Sequence, residues 1–107
     1  MAEVKRDNLI LSSGVTNEII LPAGTYEKGT AIGKVDGAYG AIGENGFTKD
    51  TIWCILAQGV TSTGSARATG YFTGEYRKSQ ITIKGTTVAV TADDLVDPAR
   101  KIGIFLK

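Results

Sequence analysis

The chain has no histidine and a single cysteine, Cys54, among its 107 residues. Without imidazole there is no Ser-His-Asp or Cys-His nucleophile, and the commonest general base and metal ligand are both missing. One thiol and no imidazole leave no donor set for a structural zinc, and an internal disulfide is impossible. An enzyme made from this chain would have to work with carboxylates, lysine or tyrosine. Charge of one sign is missing too. Twelve Lys and Arg nearly cancel eleven Asp and Glu, for a net charge of +1, so no strong field steers a polyanion towards the surface. No apolar run is long enough to span a bilayer. Residues 1–14 hold no long apolar stretch of the secretory kind, and no Asn-x-Ser/Thr sequon occurs. Synthesis inside a cell is the expectation.

What is present suits a folded domain. Apolar residues make up 42% of the chain and charged residues 21%, which is ordinary for a globular protein and unlike a disordered one. The length is that of one domain. A chain of this size hides only about two thirds of its unfolded surface, so a partner subunit would help it.

Residues 1–8 are polar and charged, with Glu3, Lys5, Arg6 and Asp7 in quick succession. They lack apolar periodicity and read as a mobile N-terminal arm. We divide the chain into an arm, residues 1–14, and a single β-rich domain, residues 15–107. Leu9-Ile10-Leu11 is either an edge strand or a segment that orders only against a partner. Residues 17–21 are β-prone and end at Pro22, which removes a ladder donor. Glu27-Lys28-Gly29 is a turn. Residues 30–35 alternate, with Ala31, Gly33 and Val35 on one face and Ile32 and Lys34 on the other. Residues 36–50 form a Gly-rich loop with one short strand over residues 39–42.

Residues 51–57 are the most apolar segment and read as a central strand covered on both faces. Within it Cys54 is expected to be buried and unreactive. Trp53 is core by default, with an interface anchor as the alternative. Residues 61–65 are a polar turn. Residues 67–77 alternate as one strand, and Gly74 inside it signals a bulge or a close backbone approach. Tyr71 and Tyr76 divide evenly between core and interface. Two further short strands are expected, one with Ile81 and Ile83 on one side, one at residues 88–90. The only helical candidate lies near the end. Thr91 and Asp94 have part of a capping-box spacing. Because Pro98 is costly inside a helix, two turns are predicted, the second with Asp97 as N-cap, Pro98 as first residue and Gly103 as stop. Residues 104–106 would close the fold as a strand.

Three groupings invite chemistry. Asp93, Asp94 and Asp97 are the only acidic cluster, and we read them as carboxylates at helix starts. Gly33-Lys34 falls short of a phosphate loop, because Val35 stands where Ser or Thr is needed and Lys28 where the first glycine is needed. The basic pairs Lys5-Arg6, Arg77-Lys78 and Arg100-Lys101, with Tyr71 and Tyr76, keep one alternative open: a small β-barrel that binds single-stranded nucleic acid. A small enzyme using paired carboxylates is a second rival. No catalytic residue, cofactor-binding residue or metal ligand is assigned.

Four segments carry a family resemblance. Leu21-Pro22-Ala23-Gly24-Thr25-Tyr26 runs into Gly29-Thr30-Ala31-Ile32-Gly33-Lys34-Val35. Trp53-Cys54-Ile55-Leu56-Ala57 follows, then Gly70-Tyr71-Phe72-Thr73-Gly74-Glu75-Tyr76, and last Lys101-Ile102-Gly103-Ile104-Phe105-Leu106-Lys107. In this order the chain resembles the head decoration proteins of lambda-type tailed bacteriophages, over roughly residues 17–107. Residues 36–50 do not align with that pattern. The resemblance implies a small β-clip-like domain with irregular Gly-rich loops and one short C-terminal helix. It implies a homotrimer on the outer surface of the expanded phage head, bound to the major capsid protein and steadying the shell against genome pressure. A virion location after synthesis in the host cytoplasm follows, with no membrane and no direct nucleic-acid contact. Carried onto this sequence, the capsid-binding arm is Ala2, Glu3, Val4, Lys5, Arg6, Leu9, Ile10 and Leu11; the family's trimer-interface residues do not carry over one by one, and Trp53, Tyr71 and Tyr76 stand as candidate interface anchors by residue type alone.

Overall fold

A computed structural model of the chain describes residues 10–44 and 46–107. The described residues form a mainly β domain with one short helix near the C-terminus. In chain order the strands are β1 (Ile10–Ser13), β2 (Thr16–Leu21), β3 (Gly24–Tyr26), β4 (Ala31–Val35), β5 (Ala38–Ala41), β6 (Ile52–Leu56), β7 (Val60–Ser62), β8 (Ala66–Tyr71), β9 (Gly74–Tyr76) and β10 (Ile104–Leu106), with α1 at Val96–Arg100.

The apolar segment expected to be central is central. β6 is the middle strand of a five-stranded antiparallel sheet ordered β2-β8-β6-β4-β5. Its two faces feed two cores. Cys54 and Leu56 join Ile19, Leu21, Tyr26, Ile32, Ala41 and Ala68. Ile52 and Ile55 join Ala31, Ile42, Tyr76, Leu95, Ala99 and Ile104. The first core is enclosed by the sheet itself. β2 and β5, at its opposite edges, approach one another, so the sheet curls. Small side chains such as Ala41, Cys54 and Ala68 fit the inside of that curl. The same alternation holds in β4, where Ala31 and Ile32 are both buried, one in each core.

The second core is capped by a three-stranded sheet ordered β1-β9-β10, with β1 antiparallel and β10 parallel to β9. Residues 67–77, expected as one strand, are therefore two strands in two sheets. The pairing explains how. Ser12↔Glu75 and Ser13↔Gly74 keep the same register as Thr16↔Tyr71 through Leu21↔Ala66. A single antiparallel ribbon thus runs through both sheets and bends at Gly14 and Thr73. At the bend the Val15 amide donates to Thr73 Oγ1 at 2.8 Å and the Phe72 amide donates to the Val15 carbonyl at 2.7 Å. A Cβ at Gly14 would collide with Thr73 Oγ1. Gly74, flagged in the sequence, sits on the partner side of this bend with φ 128°.

This ribbon moves the domain boundary. Ile10–Ser13 pair with β9, and Ile10 packs against the second core, so the folded unit begins before residue 15. Ala2, Glu3, Val4, Lys5, Arg6 and Leu9 lie outside the described residues.

The strands expected around residues 81–83 and 88–90 do not form. Thr82 makes one isolated parallel bridge to Thr30. The segment's amides and carbonyls bond to turns instead: Ala31 donates to Thr82, Thr82 to Gly29, Gly85 to Ile42 and Val88 to Gly43. Ile81, Ile83 and Val90 still pack on the second core. The apolar spacing reflected burial beneath a strap, not a ladder.

The C-terminal helix keeps half of its expected design. The Thr91 amide donates to Asp94 Oδ2 at 2.9 Å, and the Asp94 amide donates to Thr91 Oγ1 at 3.3 Å, the reciprocal geometry of a capping box. A 3₁₀ turn at Asp93–Leu95 then runs straight into α1. Asp97 caps nothing, because no separate second turn exists; it lies inside the first turn of α1. Pro98 fits there because first-turn amides need no intrahelical acceptor. Gly103, with φ 88°, ends the helical stretch, as expected.

Asp94 has the stabilising role among the three aspartates. Its carboxyl is held below the ordinary carboxylate range, first by the Thr91 amide and then by the Thr91 hydroxyl. Its folded pKa lies below its unfolded one. The contribution is therefore present at neutral pH and fades as pH falls through the folded value, below about 4. Thr91→Ala is expected to cost about 0.5–2 kcal/mol, and Asp97→Ala much less. Urea melts of wild type and Asp94→Asn at neutral and strongly acidic pH check the linkage: the variant should lose less stability on acidification.

Candidate interaction surface

Trp53 is outside, and a bulge puts it there. β4 pairs with β6 through Ile32↔Cys54 and Gly33↔Ile52. One step along β4 thus matches two along β6, and Trp53 is the extra residue. Such a bulge breaks the strand's alternation and re-aims a side chain. Trp53 is 39% exposed, so the default assignment to the core is corrected. Lys34 lies on the side to which Trp53 turns. Its Nζ is 4.8 Å from the centre of the Trp53 ring and 5.3 Å from that of Tyr39. Both distances are within cation–π range.

Lys34 and Tyr39 are cross-strand partners in the β4–β5 hairpin. Asp36 and Gly37 close that hairpin with φ of 50° and 82°, as a two-residue turn of the primed type requires. The Asp-Gly pair was a readable hairpin signal that our reading of a Gly-rich loop passed over. It would have placed Lys34 opposite Tyr39.

Trp53, Phe72 and Ile102 line a hollow of about 140 Å3. Val15, whose carbonyl accepts from the Phe72 amide, is 61% exposed. Three segments far apart in sequence thus meet in one apolar patch, with Lys34 beside its Trp53. An apolar patch with a charged rim is the usual composition of a protein contact.

The other expected anchors fare differently. Tyr76 is fully buried, and its hydroxyl donates to the Thr73 carbonyl at 2.6 Å. It is a core residue and not a surface anchor. Burial pushes its phenol well above the ordinary tyrosine range. Tyr71 is half-buried, with its ring 5.2 Å from that of Tyr76. In β1, Ile10 faces the core, whereas Leu11 is the extra residue of a second bulge and is 42% exposed.

The acidic cluster does not converge. Asp93 pairs with Lys78, Asp97 with Arg100, and Asp94 with Thr91. Two of the basic pairs are thereby partly engaged. Among the described residues no group of three or more His, Cys, Asp or Glu is placed to hold a metal ion. A larger hollow, about 510 Å3, lies between the edges β2 and β5. Its lining has one carboxylate, Glu18, which turns to Arg67 at 3.7 Å, so it offers no acid–base pair.

Cys54 lies fully inside the curled sheet, and burial pushes its thiol up to about 12. Thiolate reagents should therefore label it slowly in the native protein and quickly in denaturant. Fast native labelling would mean that the curl opens.

No helix among the described residues is long and apolar enough to cross a membrane. Compared with known families and proteins, the chain matches no family model and no curated protein sequence.

Proposed function

We propose that this chain is a capsid decoration protein of the lambda type, a structural and non-enzymatic protein of the virion's outer surface. Three copies bind the major capsid protein of the expanded phage head and steady it. The apolar patch around Trp53 carries the reading, because it suits contact with another protein surface and has no reactive group at its centre. The four resembling segments support it as well. They supply β3 and β4, β6, the end of β8 with β9, and β10, which are strands of the five-stranded sheet, the three-stranded sheet and a two-stranded sheet that pairs β3 with β7. A trimer that bridges several shell subunits adds weak contacts through effective concentration. Selective binding to the expanded lattice shifts the shell away from states that release the genome.

The test is to mix purified protein with expanded and unexpanded shells and count the copies retained. Retention on expanded shells alone is expected. Equal or absent retention on both overturns the reading. A second reading is favoured by one observation, the exposed Trp53 beside Lys34 on a curled five-stranded sheet, an arrangement also used to stack bases of single strands. Retention on single-stranded nucleic acid that falls steeply with salt would select it.

A further inference from the structure

We propose that the opening between β2 and β5 takes up an extended segment of the major capsid protein as a sixth strand. The proposal rests on the decoration reading and names the chemistry of the contact, backbone hydrogen bonds to two strand edges. The five-stranded sheet curls until β2 and β5 approach, yet among the described residues no backbone bond joins them. Strand direction bears on this. Each pairing in the order β2-β8-β6-β4-β5 is antiparallel, so β2 and β5 run the same way. Direct closure needs a parallel pair, with slanted bonds and slightly less stability per residue. One further strand, antiparallel to both, continues the alternation and removes both edges.

The free backbone groups on the two walls can be named. The Phe72 amide donates to the Val15 carbonyl. By the two-residue period Asn17, Ile19 and Leu21 then bond to β8, while Glu18 and Ile20 turn their backbone groups to the opening. The Glu18 amide agrees, since it donates to Asn17 Oδ1 at 2.8 Å instead of to a strand. Pro22, next in that series, has no amide. β2 therefore offers the Ile20 amide and the carbonyls of Glu18 and Ile20. On the other wall the Ile42 amide donates to the Ala31 carbonyl, so Ala38 and Gly40 bond to β4 and Tyr39 and Ala41 face the opening. The Ala41 carbonyl accepts from the Glu44 amide, which leaves the Ala41 amide and both backbone groups of Tyr39. Donors and acceptors on two facing edges suit an extended backbone, the occupant in strand addition. The hollow of about 510 Å3 there is lined along β2 by Glu18, Ile19, Ile20 and Leu21, a length of roughly 13 Å at about 3.3 Å per residue. Glu18 is held by Arg67, so the lining has no unpaired carboxylate and calls for an apolar segment. Tyr39, in the same lining, is joined through Lys34 to Trp53. The opening is thus continuous with the apolar patch that carries the decoration reading, and one partner covers both.

Amide hydrogen exchange of wild type, free and retained on expanded shells, tests the proposal. The Ile20 and Tyr39 amides should exchange quickly in the free protein and at least about tenfold more slowly on the shells. Ile20→Pro deletes the one free donor of β2, at an edge where a missing amide costs the ladder nothing. It should weaken shell retention about fivefold beyond Ile20→Ala, which loses the side chain and keeps the amide. Thermal melts verify the fold of both variants, and if the proline variant does not fold, the exchange of wild type decides. Protection of both amides already in the free protein means that this chain or a second copy fills the opening, and overturns the proposal. So do unchanged exchange on shells that retain the protein, and a folded Ile20→Pro retained as well as Ile20→Ala. In these three cases retention on expanded shells leaves the decoration reading standing. Shells that retain no wild type remove that reading and this site with it.

Discussion

Tyr76→Ala should lower the stability of the domain by about 3–5 kcal/mol, the range for deleting a large buried aromatic side chain. Tyr76 stands in β9, the middle strand of the capping sheet, where β1 pairs on one side and β10 on the other. Its ring is fully buried in the core that also holds Ile55, Leu95, Ala99 and Ile104, and the Tyr71 ring is tilted against it at 5.2 Å between centres. Total stability of a small domain is about 5–15 kcal/mol, so this one change should bring the protein near its unfolding threshold. Tyr76→Phe separates packing from hydrogen bonding. It keeps the ring and strands the Thr73 carbonyl that the hydroxyl serves, at about 1–3 kcal/mol. The phenol also imposes an alkaline limit. Its folded pKa is raised above the unfolded value by burial first, and by the nearby Tyr71 second. The stability this represents is whole below about pH 10, where the unfolded tyrosine titrates, and is lost as pH rises towards the folded value. Tyr76→Phe should flatten that alkaline decline. Cys54 adds to it from about pH 8.5 upward, because its thiol is pushed up to about 12. Denaturant melts between neutral and alkaline pH test both points, and a Phe variant with the wild-type alkaline slope would refute the assignment to Tyr76.

Truncation at two points should give opposite results. Removing residues 1–9 should leave the melting transition close to that of the full chain while retention on expanded shells falls strongly, if those residues form the capsid-binding arm. Removing residues 1–13 should instead destabilise the domain by at least about 2 kcal/mol. It takes away Ile10, half-buried against the core, and the backbone bonds of β1, whose combined worth is of that order. It also bares one edge of β9, a template for aggregation. Thermal melts and shell retention of both truncations decide the matter. A stable 14–107 fragment would restore the boundary read from the sequence, and full retention by the 10–107 fragment would remove the arm from capsid binding.

The sequence alone determined what depends on a few neighbouring residues. β6 is central because residues 52–56 are apolar on both faces, and no other segment of the chain is so evenly apolar. Pro22 follows the end of β2, Gly103 ends the helical stretch, and Thr91 finds Asp94 three residues on. Each of these rests on local backbone geometry or a short-range hydrogen bond. Burial of Cys54 was legible for the same reason. The tertiary structure decided whatever depended on partners far along the chain. Trp53 leaves the core because β4 advances one residue where β6 advances two, and a bulge needs both strands to exist. Residues 67–77 split because their ribbon partner bends at Gly14, some sixty residues away in the chain, where only a residue without Cβ clears Thr73. Ile81, Ile83 and Val90 pack on the core without a ladder, because the backbone bonds of their segment, at Thr82, Gly85 and Val88, go to Gly29, Ala31, Ile42 and Gly43 one at a time. The patch of Trp53, Phe72 and Ile102 has no sequence period at all; it joins β6, the bend between β8 and β9 and the stretch after α1, which meet only in the folded chain.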